Sequence, residues 1–125
     1  MAQLHSNHYS IIIDAMGGDF APEEIIKGSI GAKETFGVKI KLVGNVDKIK
    51  KVAELNKLNL DSIEIIPSLQ EVSMNESPSE VLKKKRNSSI YIGSQFVSSG
   101  NANAFISAGN TGAVMACSLL SLIHI

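Results

Sequence analysis

The sequence predicts an α/β fold with three layers, in which helices cover both faces of a mostly parallel sheet. Short apolar, β-branched runs alternate with segments of helical length and helical periodicity, as in chains built from parallel strands. Two glycine-containing corners, at residues 14–22 and 107–113, each follow a strand-like run and open a helical segment. We call them the first and the second corner. In parallel α/β folds such corners lie at the carboxyl ends of strands, where ligands bind.

The first strand is predicted at residues 9–13, a continuous β-branched run typical of a buried parallel strand. A helix follows the first corner, since Pro22 suits the first helical position and the acidic residues after it suit the first turn. Gly37 is a natural end for this helix. Its predicted apolar face consists of Ile25, Ala32 and Phe36, with Ile26 and Ile30 beside them.

The second strand, at residues 38–43, alternates apolar residues with Lys39 and Lys41, which predicts a position near an edge of the sheet. Gly44 and Asn45 then supply a turn and a helix cap. The remaining predicted elements are a helix at 46–58, a strand at 63–66, a loop at 68–79, a short helix at 80–86, a Ser88-capped helix to 99, a strand at 104–107 and a last helix from 111.

The composition indicates a soluble globular protein with a zero formal net charge. The 125 residues include 12 basic and 12 acidic side chains, whereas a general nucleic-acid binder has a basic excess. No run approaches the length of a membrane span and no secretory signal is visible, so the simplest location is cytoplasmic. Cys117 excludes an internal disulfide framework and is expected to be a buried structural residue.

The first corner permits two interpretations. Gly17 and Gly18 would let the backbone approach a ligand closely, with Asp14 ending the strand and Asp19 preceding the helix. Alternatively, the glycines merely allow the turn and Asp19 lies near the helix cap. The corner has neither the dinucleotide-binding pattern nor the P-loop pattern of glycines and lysine.

The second corner favours anion binding. Ser107, Asn110 and Thr111 lie beside Gly109 and Gly112 at the start of a helix. Asn110 or Thr111 could simply cap that helix. Backbone N–H groups with the Thr111 hydroxyl could instead hold a phosphate, and the density of small polar residues favours this interpretation.

A basic run, Lys83 to Arg86, leads into Asn87 and Ser88 at the start of another helix. Such a run is usually a solvated face. Here Arg86 could hold a phosphate or carboxylate bidentately, or the run could dock an acidic protein or an anionic lipid. No Cys/His cluster has metal-ligand spacing, so no metal site is predicted, and His5 and His8 are expected to be exposed in a polar leader.

Four segments together resemble the bacterial phosphate acyltransferase (PlsX) family. They are Asp14-Ala15-Met16-Gly17-Gly18-Asp19 with Ala21-Pro22, Leu42-Val43-Gly44, Lys84-Lys85-Arg86-Asn87-Ser88-Ser89, and Ser107-Ala108-Gly109-Asn110-Thr111-Gly112-Ala113. The resemblance extends over residues 11–116 and implies a fold like that of isocitrate dehydrogenases and phosphotransacetylases. It implies transfer of a fatty acyl group from acyl carrier protein to inorganic phosphate, giving acyl phosphate for phospholipid synthesis. It also implies a homodimer, cytoplasmic or peripheral to the inner face of the membrane, without metal or organic cofactor.

Phosphate itself attacks the thioester in this reaction, so the residues need only hold an anion beside it. We expect Asn110, Thr111 and Gly112 to position phosphate and Gly17 and Gly18 to shape the adjoining wall. Further candidates for the substrate site are Asp14, Ser107, Arg86, Asn87 and Ser88. The sequence identifies neither a catalytic base nor the preferred acyl chain length.

Family members are much longer than this sequence. We therefore expect residues 1–125 to be the N-terminal part of one α/β domain, with one flank of its sheet uncovered, and to be inactive or misfolded alone. Residues 121–125 resemble translated sequencing-adapter read-through, so no function is assigned to His124. Two alternatives stay open: a phosphotransacetylase-like enzyme that uses coenzyme A, and a non-catalytic phosphate- or nucleotide-binding module.

Overall fold

A computed structural model describes residues 9–123 of the chain. The expectations for His5, His8 and His124 lie outside this range. The strands are β1 (Ser10–Asp14), β2 (Lys39–Gly44), β3 (Glu64–Pro67) and β4 (Ala104–Ile106). The helices are α1 (Glu23–Phe36), α2 (Val46–Leu55), α3 (Pro78–Lys84), α4 (Ser89–Ser98) and α5 (Thr111–Ile123).

The four strands form one parallel sheet in the order β3-β2-β1-β4. The chain therefore builds outward from β1 to β3 and then crosses to the opposite side of β1, where β4 pairs Ile106 with Ile13. This reversal places the two corners next to each other, because they follow the two strands on either side of it.

The prediction that the second strand lies near an edge is wrong. β2 pairs with both β1 and β3 and is an inner strand. Lys41 is tolerated there because its ammonium donates to the carbonyl of Asn101 at 2.8 Å and lies 5.4 Å from the centre of the Phe96 ring. The long side chain covers apolar surface while its charge reaches a polar partner.

Helices cover both faces of the sheet, which confirms the predicted three-layer architecture. The face toward α1 and α2 buries six residues: Ala15, Ile26, Ile40, Leu42, Ile49 and Ile63. The opposite face buries Ile12, Val43 and Ala102 beneath α4. The β-branched run of β1 thus supplies side chains to both layers, as a parallel strand covered on two sides requires.

The buried face of α1 differs from the predicted one. Ile26 and Ser29 face the sheet, whereas Phe36 is 60% exposed. Ser29 can be buried because its hydroxyl donates to the carbonyl of Ile25 at 2.7 Å. Phe36 instead lines an apolar groove with Ile106, so the flank of the sheet beside β4 is open among the described residues.

Several boundaries also move for identifiable reasons. α1 begins at Glu23 because Pro22 occupies the cap position. Gly37 ends α1 in a left-handed conformation, as predicted. α2 ends at Leu55, since Lys57 has a positive φ of 55°. α3 begins at Pro78 because the Ser77 side chain caps it, accepting from the Glu80 N–H.

The three helices after β3 pack against one another. Val81, Ile90, Ala113 and Cys117 form their shared core. Burial raises the pKa of the Cys117 thiol, so the thiol stays protonated and unreactive. This confirms the structural interpretation of the cysteine. The outer face of α5 carries exposed Met115 and Leu119.

Candidate functional site

The two corners interlock through glycines. A Cβ atom at Gly17 would lie 2.6 Å from Asp14 Oδ2 and 2.7 Å from the Gly109 nitrogen. Gly18 has a φ of 100°, and a Cβ there would lie 3.2 Å from the Cβ of Ala108. The backbones of the two corners can approach this closely only because position 17 lacks a side chain.

A buried carboxylate joins the two corners by hydrogen bonds. Asp14, only 1% exposed, accepts the Met16 N–H on Oδ1 at 2.9 Å and the Ser107 hydroxyl on Oδ2 at 2.8 Å. Ser107 Oγ in turn accepts the Gly109 N–H at 3.0 Å. We call this chain of contacts, from Asp14 through Ser107 to Gly109, the carboxylate relay. It fixes the backbone of both corners at once.

Asn110 caps α5 and clamps the loop at residues 68–77, which we call the connecting loop. Its Oδ1 accepts the Ala113 N–H at 3.1 Å. Its amide donates to the carbonyls of Ser73 at 3.0 Å and Glu76 at 2.8 Å, and a longer contact of 3.4 Å reaches Met74. Both ends of this buried side chain are therefore occupied by protein groups.

Thr111 and Gly112, the next two residues, have different roles. A Cβ at Gly112 would lie 2.8 Å from Pro78 Cγ, so glycine lets the start of α5 pack against the start of α3. Thr111 is exposed in the first turn of α5. Among the described residues, the Thr111 hydroxyl has no hydrogen-bond partner, so it is the side-chain donor of this corner that a ligand could reach.

Comparisons with known proteins identify the family of this chain. The family model described as "Fatty acid synthesis protein" matches residues 9–125. The chain belongs to this family. Proteins named phosphate acyltransferase are 50% identical in Halothermothrix orenii, over 90% of this chain and 34% of the relative, and 44% identical in Nostoc punctiforme, over 95% and 35%. One from Lawsonia intracellularis is 40% identical, over 93% and 33%. The chain thus spans about a third of the relatives' length.

The basic segment of this fatty acid synthesis family member lies apart from the two corners. Ser88 is fully buried, and its hydroxyl oxygen caps α4 by accepting the Tyr91 N–H at 3.2 Å. Arg86 is exposed, donates to the Leu82 carbonyl at 3.2 Å and lies 5.6 Å from the centre of the Tyr91 ring. The Asn87 N–H donates to Gln70 Oε1 at 3.0 Å. In residues 9–123, none of the three hydrogen-bonds to either corner.

The connecting loop links the basic segment to the second corner. Lys85 donates to the carbonyl of Glu71 and to Glu76 Oε1, both at 2.6 Å, while Asn110 holds the Glu76 carbonyl. The Lys85 ammonium, with the Ser73 N–H, holds the pKa of the Glu76 carboxyl below its ordinary value. The pairing of Glu76 with Lys85 could not be predicted from the sequence, since an acidic residue in a polar loop gives no signal of a distant partner.

The described part of the chain contains no group of three or more His, Cys, Asp or Glu side chains placed to hold a metal ion. None of its helices has the length and apolar character needed to cross a membrane.

Of the ten residues predicted for the site, the structure brings together Asp14, Gly17, Gly18 and Ser107. Asn110, Thr111 and Gly112 continue the second corner after Gly109.

Proposed function

We propose that this chain supplies the phosphate-binding part of a phosphate acyltransferase, which transfers a fatty acyl group from acyl carrier protein to inorganic phosphate. The observation that carries the proposal is the interlocking of the two corners at the reversal point of the sheet, where parallel α/β folds bind ligands. The relatives, which are about three times as long as this chain, are named phosphate acyltransferases, and that name supports acyl transfer to phosphate.

The start of α5 suits an anion. Within residues 9–123, the backbone N–H groups of Gly17, Gly18, Thr111 and Gly112 have no protein acceptor. The unpaired N–H groups and dipole of a helix start stabilise negative charge, and the exposed Thr111 hydroxyl adds a donor. We propose that these groups hold phosphate, with Asn110 fixing the turn that presents them.

The reaction requires no enzyme nucleophile. A phosphate oxygen forms a bond to the thioester carbonyl carbon, the carbon–sulfur bond breaks, and the thiol of the carrier leaves with the proton that phosphate loses. Holding phosphate against the thioester lowers the entropic part of the barrier, and fixed N–H groups stabilise the developing oxyanion. The chain's contribution is to place the attacking group, and no catalytic base is assigned.

The carrier, assembly and location are part of the same proposal. Exposed Lys83, Lys84 and Arg86 form a basic surface that complements an acidic carrier protein or an anionic lipid. From the family resemblance, we propose a homodimer that works in the cytoplasm, peripheral to the inner face of the membrane, to supply acyl phosphate for phospholipid synthesis. No metal or organic cofactor is part of the proposed chemistry.

A chimeric enzyme tests the proposal. Residues 9–123 of this chain would replace the matching third of the Halothermothrix orenii phosphate acyltransferase, and acyl phosphate formation would be followed with acyl carrier protein or coenzyme A thioesters. We expect activity with the carrier thioester. Thr111→Val should raise the KM for phosphate about tenfold or more, because a phosphate contact is lost.

Thr35→Val is the matched control, since Thr35 is also exposed on a helix but lies at the far end of α1. It should leave the KM for phosphate unchanged. A folded chimera that forms no acyl phosphate would refute the acyltransferase proposal and favour a binding module. A preference for coenzyme A thioesters would favour the phosphotransacetylase-like alternative.

A further inference from the structure

We infer that Asp14 is a positioning residue: through Ser107 it holds the two corners in register, and it keeps the Ser107 hydroxyl proton away from the ligand. This rests on the proposed function in one respect, namely that the ligand is phosphate. It also changes the expected role of Ser107, which then supports the site without contacting the ligand. Thr111 and backbone N–H groups contact the anion.

Burial separates the Asp14 carboxylate from any ligand at the corners. Asp14 is 1% exposed and lies behind Gly17, the position at which even a methyl group would meet its Oδ2. A ligand at the corners therefore does not touch the carboxylate. A buried carboxylate is stable only when hydrogen bonds replace its lost hydration, and Met16 and Ser107 supply them.

The hydrogen bonds of the carboxylate relay have a fixed direction. An ionised carboxylate only accepts, so the single hydroxyl proton of Ser107 must point at Asp14. The lone pairs of Ser107 Oγ then face the Gly109 N–H, which donates to them. With its proton committed, Ser107 cannot donate to an anion. Thr111 carries no such commitment among the described residues.

The carboxylate relay spans both corners. Met16 belongs to the first corner and Gly109 to the second, so one carboxylate fixes backbone amides on both sides of the reversal. In Asp14→Asn an amide replaces the charged carboxylate. The new amide N–H group can donate to Ser107 Oγ, and the Ser107 hydroxyl proton is then free to point elsewhere. The negative charge, beyond the shape of the side chain, determines the bond direction.

The test uses the isotope-labelled chimera with the Halothermothrix orenii enzyme, described above, and two readouts. Amide resonances of Met16 and Gly109 report the relay without ligand, and titration with inorganic phosphate reports the site. Ser107→Val removes the hydroxyl and Ser107→Thr retains it in a side chain of similar shape. We expect Ser107→Val to move the Gly109 amide proton upfield and Ser107→Thr to leave it near its original position. Asp14→Asn should move both amides.

The phosphate titration should show dissociation constants about tenfold or more higher for Asp14→Asn and Ser107→Val, because displaced donors lose their alignment. Ser107→Thr should bind as the parent does. The control is Ser29→Ala, which deletes a buried hydroxyl that donates to the Ile25 carbonyl on α1, far from both corners. It should reduce stability while leaving phosphate affinity unchanged, which separates positioning from general support of the fold.

Each outcome decides a separate point. An unmoved Gly109 amide in Ser107→Val, or unchanged phosphate affinity in both relay variants, would overturn the inference. A folded parent chimera that binds no phosphate would count against the proposed function, while the amide readout would still decide whether the relay joins the corners. If Ser107→Val does not fold, Ser107→Ala, which relieves any crowding by the larger side chain, takes its place in both measurements.

Discussion

The two corners each connect a strand to a helix, but they are held by different physical means. The first corner depends on the lack of side chains at Gly17 and Gly18. A Cβ atom at either position would lie too close to atoms of the second corner. The second is determined by hydrogen bonds, with Ser107 and Asn110 each satisfying groups on both sides of the turn. Two glycine-containing corners of one site are therefore expected to be disrupted by different kinds of substitution.

The largest effect is expected at the first corner. Gly17→Ala would bring a methyl group against backbone atoms of Gly109 and the Asp14 carboxylate, and we expect it to lower the free energy of unfolding by about 3 kcal/mol. Urea denaturation measures this. The control is Gly28→Ala in α1, where nothing lies within 4 Å and alanine should stabilise the helix by roughly 0.5–1 kcal/mol. Equal effects at the two positions would show that the corners are not interlocked.

A smaller effect is expected from Asn110→Ala, which removes a helix cap together with the bonds to the connecting loop. We expect a loss of about 2–3 kcal/mol in the free energy of unfolding. Asn45→Ala is the comparison, because Asn45 caps α2 through the Lys48 N–H with no clamped loop, and should cost about 1 kcal/mol. The difference between the two losses measures the contribution of the hydrogen bonds from Asn110 to the connecting loop. An equal loss from both variants would mean that these bonds contribute nothing.

The smallest expected effect concerns pH. The folded-state pKa of Glu76 is lowered, chiefly by the hydrogen bond from Lys85. The contribution of ionised Glu76 to stability is therefore present above the ordinary pKa of 4.5, and it is lost as the pH falls through the lower pKa of the folded state. Glu76→Gln should remove this part of the acid dependence and lower stability slightly at neutral pH. Thermal unfolding between about pH 3 and pH 7 gives the comparison, and identical pH profiles for parent and variant would contradict the expectation.

Much of the fold could be predicted because local signals and the global fold agree. The β-branched run of β1, the left-handed end at Gly37 and the caps at Asn45 and Ser88 all lie where the sequence indicates. The position of β2 could not be predicted from its alternating lysines, because Lys41 finds its partners on α4 and on the segment that follows it. Pairing order depends on contacts between distant residues, which local periodicity does not contain.

The placement of the two corners could be predicted, whereas the roles of their residues could not. Small polar residues after β1 and β4 indicate two corners, and the sheet order makes them neighbours. Asn110 and Ser107 carry the same chemical groups as a ligand contact would require, yet their partners in this fold are protein atoms. Only the three-dimensional arrangement distinguishes a donor that supports a site from a donor that a ligand can reach.

The sheet order also has a consequence for how the molecule folds. Asp14 and Ser107 are 93 positions apart, and they lie at the ends of the first and last strands of the described sheet. During synthesis, β1, β2 and β3 can associate before β4 has emerged, whereas the site requires the long closure that brings β4 to β1. The site is thus expected to mature late in folding, so that the rate at which phosphate-binding competence appears reports the completion of the sheet.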